Sequence, residues 1–187
     1  MDAPRKRIAF SEFLEKFSGK RPALESTVSA AQVLRRLAEI EADASDYYAG
    51  LAEHSDLPWV QKFARELAGA ERNHEKHFLE LAGVAEAEND HSESAMEAPL
   101  SEEIIGMMSV RITQSPQSAA KTAIYLGERD AVEFAIQAEA NTVGLLEKLM
   151  DHVPVPQRPH IMRVLAEEVM HKSYLERLRD KHFGPLL

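Results

Sequence analysis

The chain has 187 residues, 44% of them apolar, and a formal net charge of −9; this suits one compact domain with a continuous core and argues against nucleic acid or an anionic membrane as the main partner. It contains no cysteine, which excludes disulfides, iron–sulfur clusters and thiolate metal sites, so any metal must be held by Glu, Asp or His. No apolar run reaches the roughly 18 residues of a membrane span, and the opening MDAPRKRIAFSEFLEKF lacks the unbroken apolar stretch of a secretion signal, so the expected location is cytoplasmic.

Residues 1–25 carry Arg5, Lys6 and Arg7, then Ile8, Phe10, Phe13, Leu14 and Phe17 at helix-like spacing; a short amphipathic helix packed on the rest of the domain is expected. A helical bundle is expected over residues 26–183. Its first long helix starts at Ser26 or at Ser29, where Ser29 and Gln32 have capping-box spacing, and runs to about Ser55. Val33, Leu37, Ile40, Ala44, Tyr48 and Leu51 form its inner stripe, and Glu41 belongs to that stripe. Asp56-Leu57-Pro58 makes a turn, with Asp56 as N-cap and Pro58 in the first turn of the next helix. The second stripe is Val60, Phe63, Leu67, Glu71, His74, Phe78 and Leu81, and Gly83 is expected to end it.

A crossing segment over residues 84–127 opens with the acidic stretch VAEAENDHSESAMEAP. It then shows a short helix from Ser101 to Ile112 and another helical run from Ser115-Pro116. The second hairpin spans residues 128–183, turns at Pro154, Pro156 and Pro159, and closes at Gly184-Pro185. Its last inner stripe is Ile161, Val164, Leu165, Glu168, His171, Leu175 and Leu178.

Two motifs carry chemistry. Glu71 and His74 stand three residues apart, and Glu168 and His171 repeat that spacing, which puts a carboxylate and an imidazole on one helical face. With 23 Glu and 8 His in the chain, roughly one such spacing arises by accident, and Glu88 to His91 is read as that accident. The two others end a longer repeat. Residues 41–68 lie over residues 139–166 without a gap and are identical at eight of 28 positions, among them Glu41/Glu139, His54/His152 and Pro58/Pro156. After the loss of one residue, Glu71 falls on Glu168 and His74 on His171.

Level residues in an antiparallel hairpin have the turn midway between them. The midpoint of Glu41 and Glu71 is Asp56, and that of Glu139 and Glu168 falls between Val153 and Pro154, both inside turns. Glu128 is the rival of Glu139, because Ala131 and Phe134 follow it as Ala44 and Tyr47 follow Glu41. Its midpoint with Glu168 is Lys148, however, and it would lie roughly 16 Å along the helix from Glu139. The expected ligand set is therefore Glu41, Glu71, His74, Glu139, Glu168 and His171, around two Fe ions, with Mn as the alternative, since hard bridging carboxylates and one imidazole per ion suit both metals. His54 and His152 are read as surface or helix-end residues.

The segments EADASDYYAGLAEHS and AERNHEKHF, with DAVEFAIQAEANTVGLLEKL and LAEEVMHKSYL, resemble the ferritin-like superfamily, and more narrowly its rubrerythrin-like branch, over about residues 29–180. The resemblance implies an all-α, ferritin-like four-helix bundle made of two repeated hairpins with a long crossover. It also implies that the six residues are iron ligands, with a bridging carboxylate from each Glu-x-x-His. Tyr48 matches the family's aromatic residue seven positions after the first Glu, which implies a catalytic place for it; Leu146 takes that position in the second half. The chain departs from full-length rubrerythrins in having no cysteine-bound rubredoxin module, and in carrying Thr142 where peroxide-reducing members have an additional carboxylate.

The expected function is a non-haem di-iron or di-manganese oxidoreductase that reduces peroxide or dioxygen with an external electron-donor protein, as a possible homo-oligomer. A ferroxidase or iron-handling protein is the first alternative. A non-catalytic helical interaction module with a structural or vestigial metal site is the second.

Overall fold

The computed structural model describes residues 19–25, 28–88, 96, 98–111 and 127–184. Most of the expected N-terminal amphipathic segment, His91 of the third Glu-x-x-His spacing and the helical run after Ser115-Pro116 lie outside the described residues.

The described residues are all-α apart from one short strand pair. Helix α1 spans Ala30–His54, α2 Pro58–Glu88, α3 Glu102–Ser109, α4 Glu128–Leu149 and α5 Arg158–Phe183, the last preceded by a 3-10 turn at Val155–Gln157. Strands β1 (Gly19–Lys20) and β2 (Val110–Arg111) pair antiparallel, with Gly19 opposite Arg111 and Lys20 opposite Val110. No helix among the described residues is long and apolar enough to cross a membrane.

Helix α1 starts where its capping box predicts. The Gln32 backbone N–H donates to Ser29 Oγ at 3.2 Å and the Ser29 N–H to Gln32 Oε1 at 2.8 Å, so two otherwise orphaned donors are satisfied reciprocally. The first turn differs from expectation at one residue. Helix α2 begins at Pro58 with the Leu57 carbonyl accepting from the Gln61 N–H at 3.0 Å, so Leu57 holds the cap position assigned to Asp56. Ser55 Oγ accepts the Leu57 N–H at 3.1 Å, which fixes the turn that leads into the helix.

Gly83 does not end α2, which continues to Glu88. A glycine inside a helix costs about 1 kcal/mol relative to Ala, and the last turns recover more than that by tertiary contact. Ala82 and Ala85 are buried, and Glu86 forms a two-pronged bond with Arg35 of α1 at 2.7 and 2.6 Å. The short helix is also trimmed. Ser101 Oγ caps it by accepting the Ile104 N–H at 3.2 Å, but it stops at Ser109 instead of Ile112, because Val110 and Arg111 pair with β1. Arg21 locks that departure: its N–H donates to the Ser109 carbonyl at 2.8 Å and its guanidinium to the Val110 carbonyl at 2.7 Å.

The core divides into two apolar clusters. One gathers Leu34, Leu37, Phe78, Leu146, Leu149 and Ile161; the other gathers Tyr47, Tyr48, Phe63, Phe134, Ala135 and Leu175. Every long helix runs from one cluster into the other, and each side chain so buried contributes about 1.5–3 kcal/mol. Helices α1 and α5 run in one sense, α2 and α4 in the other. The end of α2 and the start of α4 thus lie at opposite ends, and the connection between them crosses the length of the bundle, with α3 packed on α1 and α4. Of the expected inner residues, Leu81, Leu165 and Leu178 are half-buried; Gly184 closes α5 with φ of 80°.

Candidate metal centre

Between the two apolar clusters each long helix contributes acid to the interior: Glu41 from α1, Glu71 from α2, Glu139 from α4 and Glu168 from α5. Their exposures are 1, 1, 4 and 1%. Helical periodicity places them there, since Glu41 follows Leu37 by one turn and Glu71 follows Leu67 by one turn. His74 is buried one turn beyond Glu71, and half-buried His171 one turn beyond Glu168.

The six side chains converge. Ligand atoms of Glu41, Glu71, His74 and Glu168 all lie within 4.8 Å of one another, and so do those of Glu71, Glu139, Glu168 and His171. Glu71 and Glu168 belong to both groups. This buried Glu/His arrangement is positioned to hold a metal ion. The imidazoles cross over: His74 Nδ1 lies 2.7 Å from Glu168 Oε1, and His171 Nδ1 lies 3.1 Å from Glu71 Oε1. Within its own helix His74 Nδ1 is 3.1 Å from Glu71 Oε2, and His171 Nδ1 is 3.6 Å from Glu168 Oε2. The rings stack with centroids 5.6 Å apart.

Several of these atoms are near neighbours without being aligned for hydrogen bonding. Glu41 Oε1, Glu71 Oε1, Glu168 Oε1 and His171 Nδ1 are buried and unsatisfied, although a buried polar atom normally finds a partner. The three glutamates among them, with Ala44, Ala138, Glu139 and Thr142, line a void of about 10 Å³, on the order of one water-sized sphere. The donor set therefore fits a hard or borderline cation on geometry and chemistry together.

Without such a cation, protons must neutralise the acids. Burial pushes the Glu41 carboxyl well above the usual range, with the charges of Glu168 and Glu71 adding to the effect. Burial likewise pushes Glu139 up, followed by the charge of Glu168. Burial acts to raise Glu168 too, yet the close approach of Glu139, His171 and His74 outweighs it and holds this carboxylate below its ordinary range. Burial opposes the charged imidazoles, but contacts with Glu168 and Glu71 raise His74 to about 11 and His171 to about 9. In this nearly dry layer, leaving any charge uncompensated costs several kcal/mol.

Tyr48 touches the site directly. Its hydroxyl donates to Glu139 Oε1, while burial and the Glu139 charge raise its own pKa. Glu128, the rival of Glu139, is half-buried at the first position of α4 and belongs to neither group. It stands where an acid complements the helix N-terminus. His54 Nδ1 lies 3.0 Å from the Gly50 carbonyl and His152 Nδ1 3.4 Å from the Ala98 carbonyl, both near helix ends and outside the two groups.

Sequence reasoning passed over Glu167. Its Oε2 is 2.7 Å from His74 Nε2, so it fixes the ring with Nδ1 turned toward the cluster. Carboxylates hold metal-ligating imidazoles in this way. The Glu167-Glu168 doublet was the available signal: one residue back along α5 is a rotation of about 100°, enough to face α2 instead of the interior.

Fold and site together define a helical bundle with a buried carboxylate and imidazole cluster able to take up metal. Comparison with protein-family models, with curated proteins and with solved structures gives no match for this chain.

Proposed function

We propose that the chain is a ferritin-like, rubrerythrin-like carboxylate protein that holds two Fe ions, or two Mn ions, and works as an oxidoreductase reducing peroxide or dioxygen. The observation that carries the reading is the sharing of Glu71 and Glu168 between two four-residue groups, each completed by one further Glu and one His. Glu41 and His74 would complete one ion, and Glu139 and His171 the other. The ions, when bound, supply the electrons and the Lewis acidity.

The chain's own residues do the remaining work. Glu71 and Glu168, which belong to both groups, would help to hold both ions. Glu167 holds the His74 ring. Tyr48 keeps Glu139 in place and offers a proton donor at the edge of the cluster. The apolar clusters on both sides exclude bulk water, so charge changes are felt by these groups and not screened. Because the chain has no cysteine, sustained turnover calls for a separate electron-donor protein.

Anaerobic loading with Fe(II), followed by metal analysis and rapid mixing with peroxide or with oxygen, tests the proposal. About two ions per chain and faster single-round oxidation by peroxide are expected. Faster oxidation by oxygen with growth of a ferric mineral would select iron handling instead, and a stoichiometry near zero would leave a helical interaction module.

A further inference from the structure

A cavity of about 390 Å³ lies between α1, α3 and α4, lined among others by Ile40, Gly106, Met107, Thr142 and Leu145. Its size falls in the range of small-molecule pockets, roughly 300–1,000 Å³. Exposure grades from one end to the other. Gly106, Val110 and Asn141 are exposed and form the mouth; Ile40, Leu145 and Thr142 are buried and form the floor. Ala138 and Thr142 also line the void beside the carboxylates, and Ile40 precedes Glu41 on α1. The cavity therefore ends against the candidate metal centre, with small side chains as the partition.

We propose that this cavity binds a neutral aliphatic molecule end-on, its single polar group at Asn141 in the mouth and its alkyl end against Ala138 and Thr142. Among the described residues no Lys, Arg or His lines the cavity, so a carboxylate or phosphate would find no counter-charge from them, and its charge would be costly to bury among Ile40, Met107 and Leu145. An uncharged chain with one hydrogen-bonding end matches a floor that is apolar except for the Thr142 hydroxyl, and the single amide at the rim. The binding stands without any metal, whereas the statement that the alkyl end lies beside a metal rests on the reading of the cluster given above. That placement makes the carbons at the inner end the ones presented to the oxidising centre.

Octanol is a suitable probe. Calorimetry on the metal-free protein should show saturable binding of one octanol per chain. Gly106→Leu provides the blocking variant, because a Cβ built at Gly106 meets nothing within 4 Å; the new side chain enters free space, and Leu is the better helix former. Binding should weaken at least about tenfold with the melting temperature unchanged or raised, while Gly106→Ala keeps most of the affinity. Failure of octanol to bind, or equal binding by Gly106→Leu, would overturn the pocket whatever the metal does. In the Mn(II)-loaded protein, proton relaxation of bound octanol should be enhanced most at the terminal methyl. Strongest enhancement at the carbinol end would overturn the orientation. A protein that binds octanol but no Mn(II) would remove the metal reading and keep the pocket.

Discussion

Metal loading should expel protons in a countable number. With His74 raised to about 11 and His171 to about 9, both imidazoles carry a proton at neutral pH in the metal-free chain, and each must lose it to become a ligand. At pH 7 those deprotonations cost on the order of 5 kcal/mol for His74 and about 3 kcal/mol for His171, at about 1.4 kcal/mol per pH unit. Both rings are well buried, with side-chain exposures of 5 and 15%, so solvent screening removes little of this. Apparent affinity should consequently climb about a hundredfold per pH unit between roughly pH 7 and pH 9. Titration with Mn(II) calorimetrically, in buffers of different ionisation enthalpy, counts the released protons directly. At least about two per loaded chain are expected; fewer than one, or an affinity independent of pH, would show that the imidazoles do not exchange protons for metal.

Glu71→Ala and Glu168→Ala remove a ligand common to both groups and should abolish loading at both, by metal analysis, whereas Glu128→Ala should load like the parent. Metal-free protein should lose thermal stability as pH rises from about 7 to about 10, because groups with raised folded pKa values, His74 and His171 among them, stabilise the fold below their unfolded pKa and lose that contribution through about 9 and 11; metal-loaded protein should not show this alkaline loss. Arg21→Ala breaks a buried pair with Asp43 at 2.6 Å, so urea unfolding should report a loss of about 3–5 kcal/mol. Tyr48→Phe deletes the hydroxyl that Glu139 accepts from, and should cost about 1–3 kcal/mol in the same assay.

The long helices and their turns were legible because apolar residues recur at helical spacing and prolines stand at both turns. Convergence of the six polar side chains followed from the same arithmetic: an acid midway between apolar residues of one stripe has nowhere to point but inward. What escaped had no periodic signal. The end of α2 depended on Ala82 and Ala85 packing into the core and on Glu86 meeting Arg35 across 51 residues of sequence, contacts that the local glycine does not reveal. The β1/β2 pair is only two residues long in each strand, too short for alternation to register. Glu167 looked like a surface neighbour of Glu168 until α2 was placed opposite it. The cavity at Gly106 is a mismatch between helices, a property of packing that no single segment carries.

The crossed contacts of His74 with Glu168 and of His171 with Glu71 have a consequence for the order in which the protein comes off the ribosome. Helices α1 and α2 hold Glu41, Glu71 and His74, and they emerge before a single residue of α4 or α5 exists. At about 5–20 residues per second, the 95 residues from Glu88 to Phe183 take roughly 5–19 s to synthesise. During that interval the nascent hairpin has two acids and an imidazole on a face with no opposing half, and water must solvate them. Those three groups are consequently open to cations in the surrounding water before the interior closes, and closure of the bundle is the step that decides whether the last partners found are ions or protons.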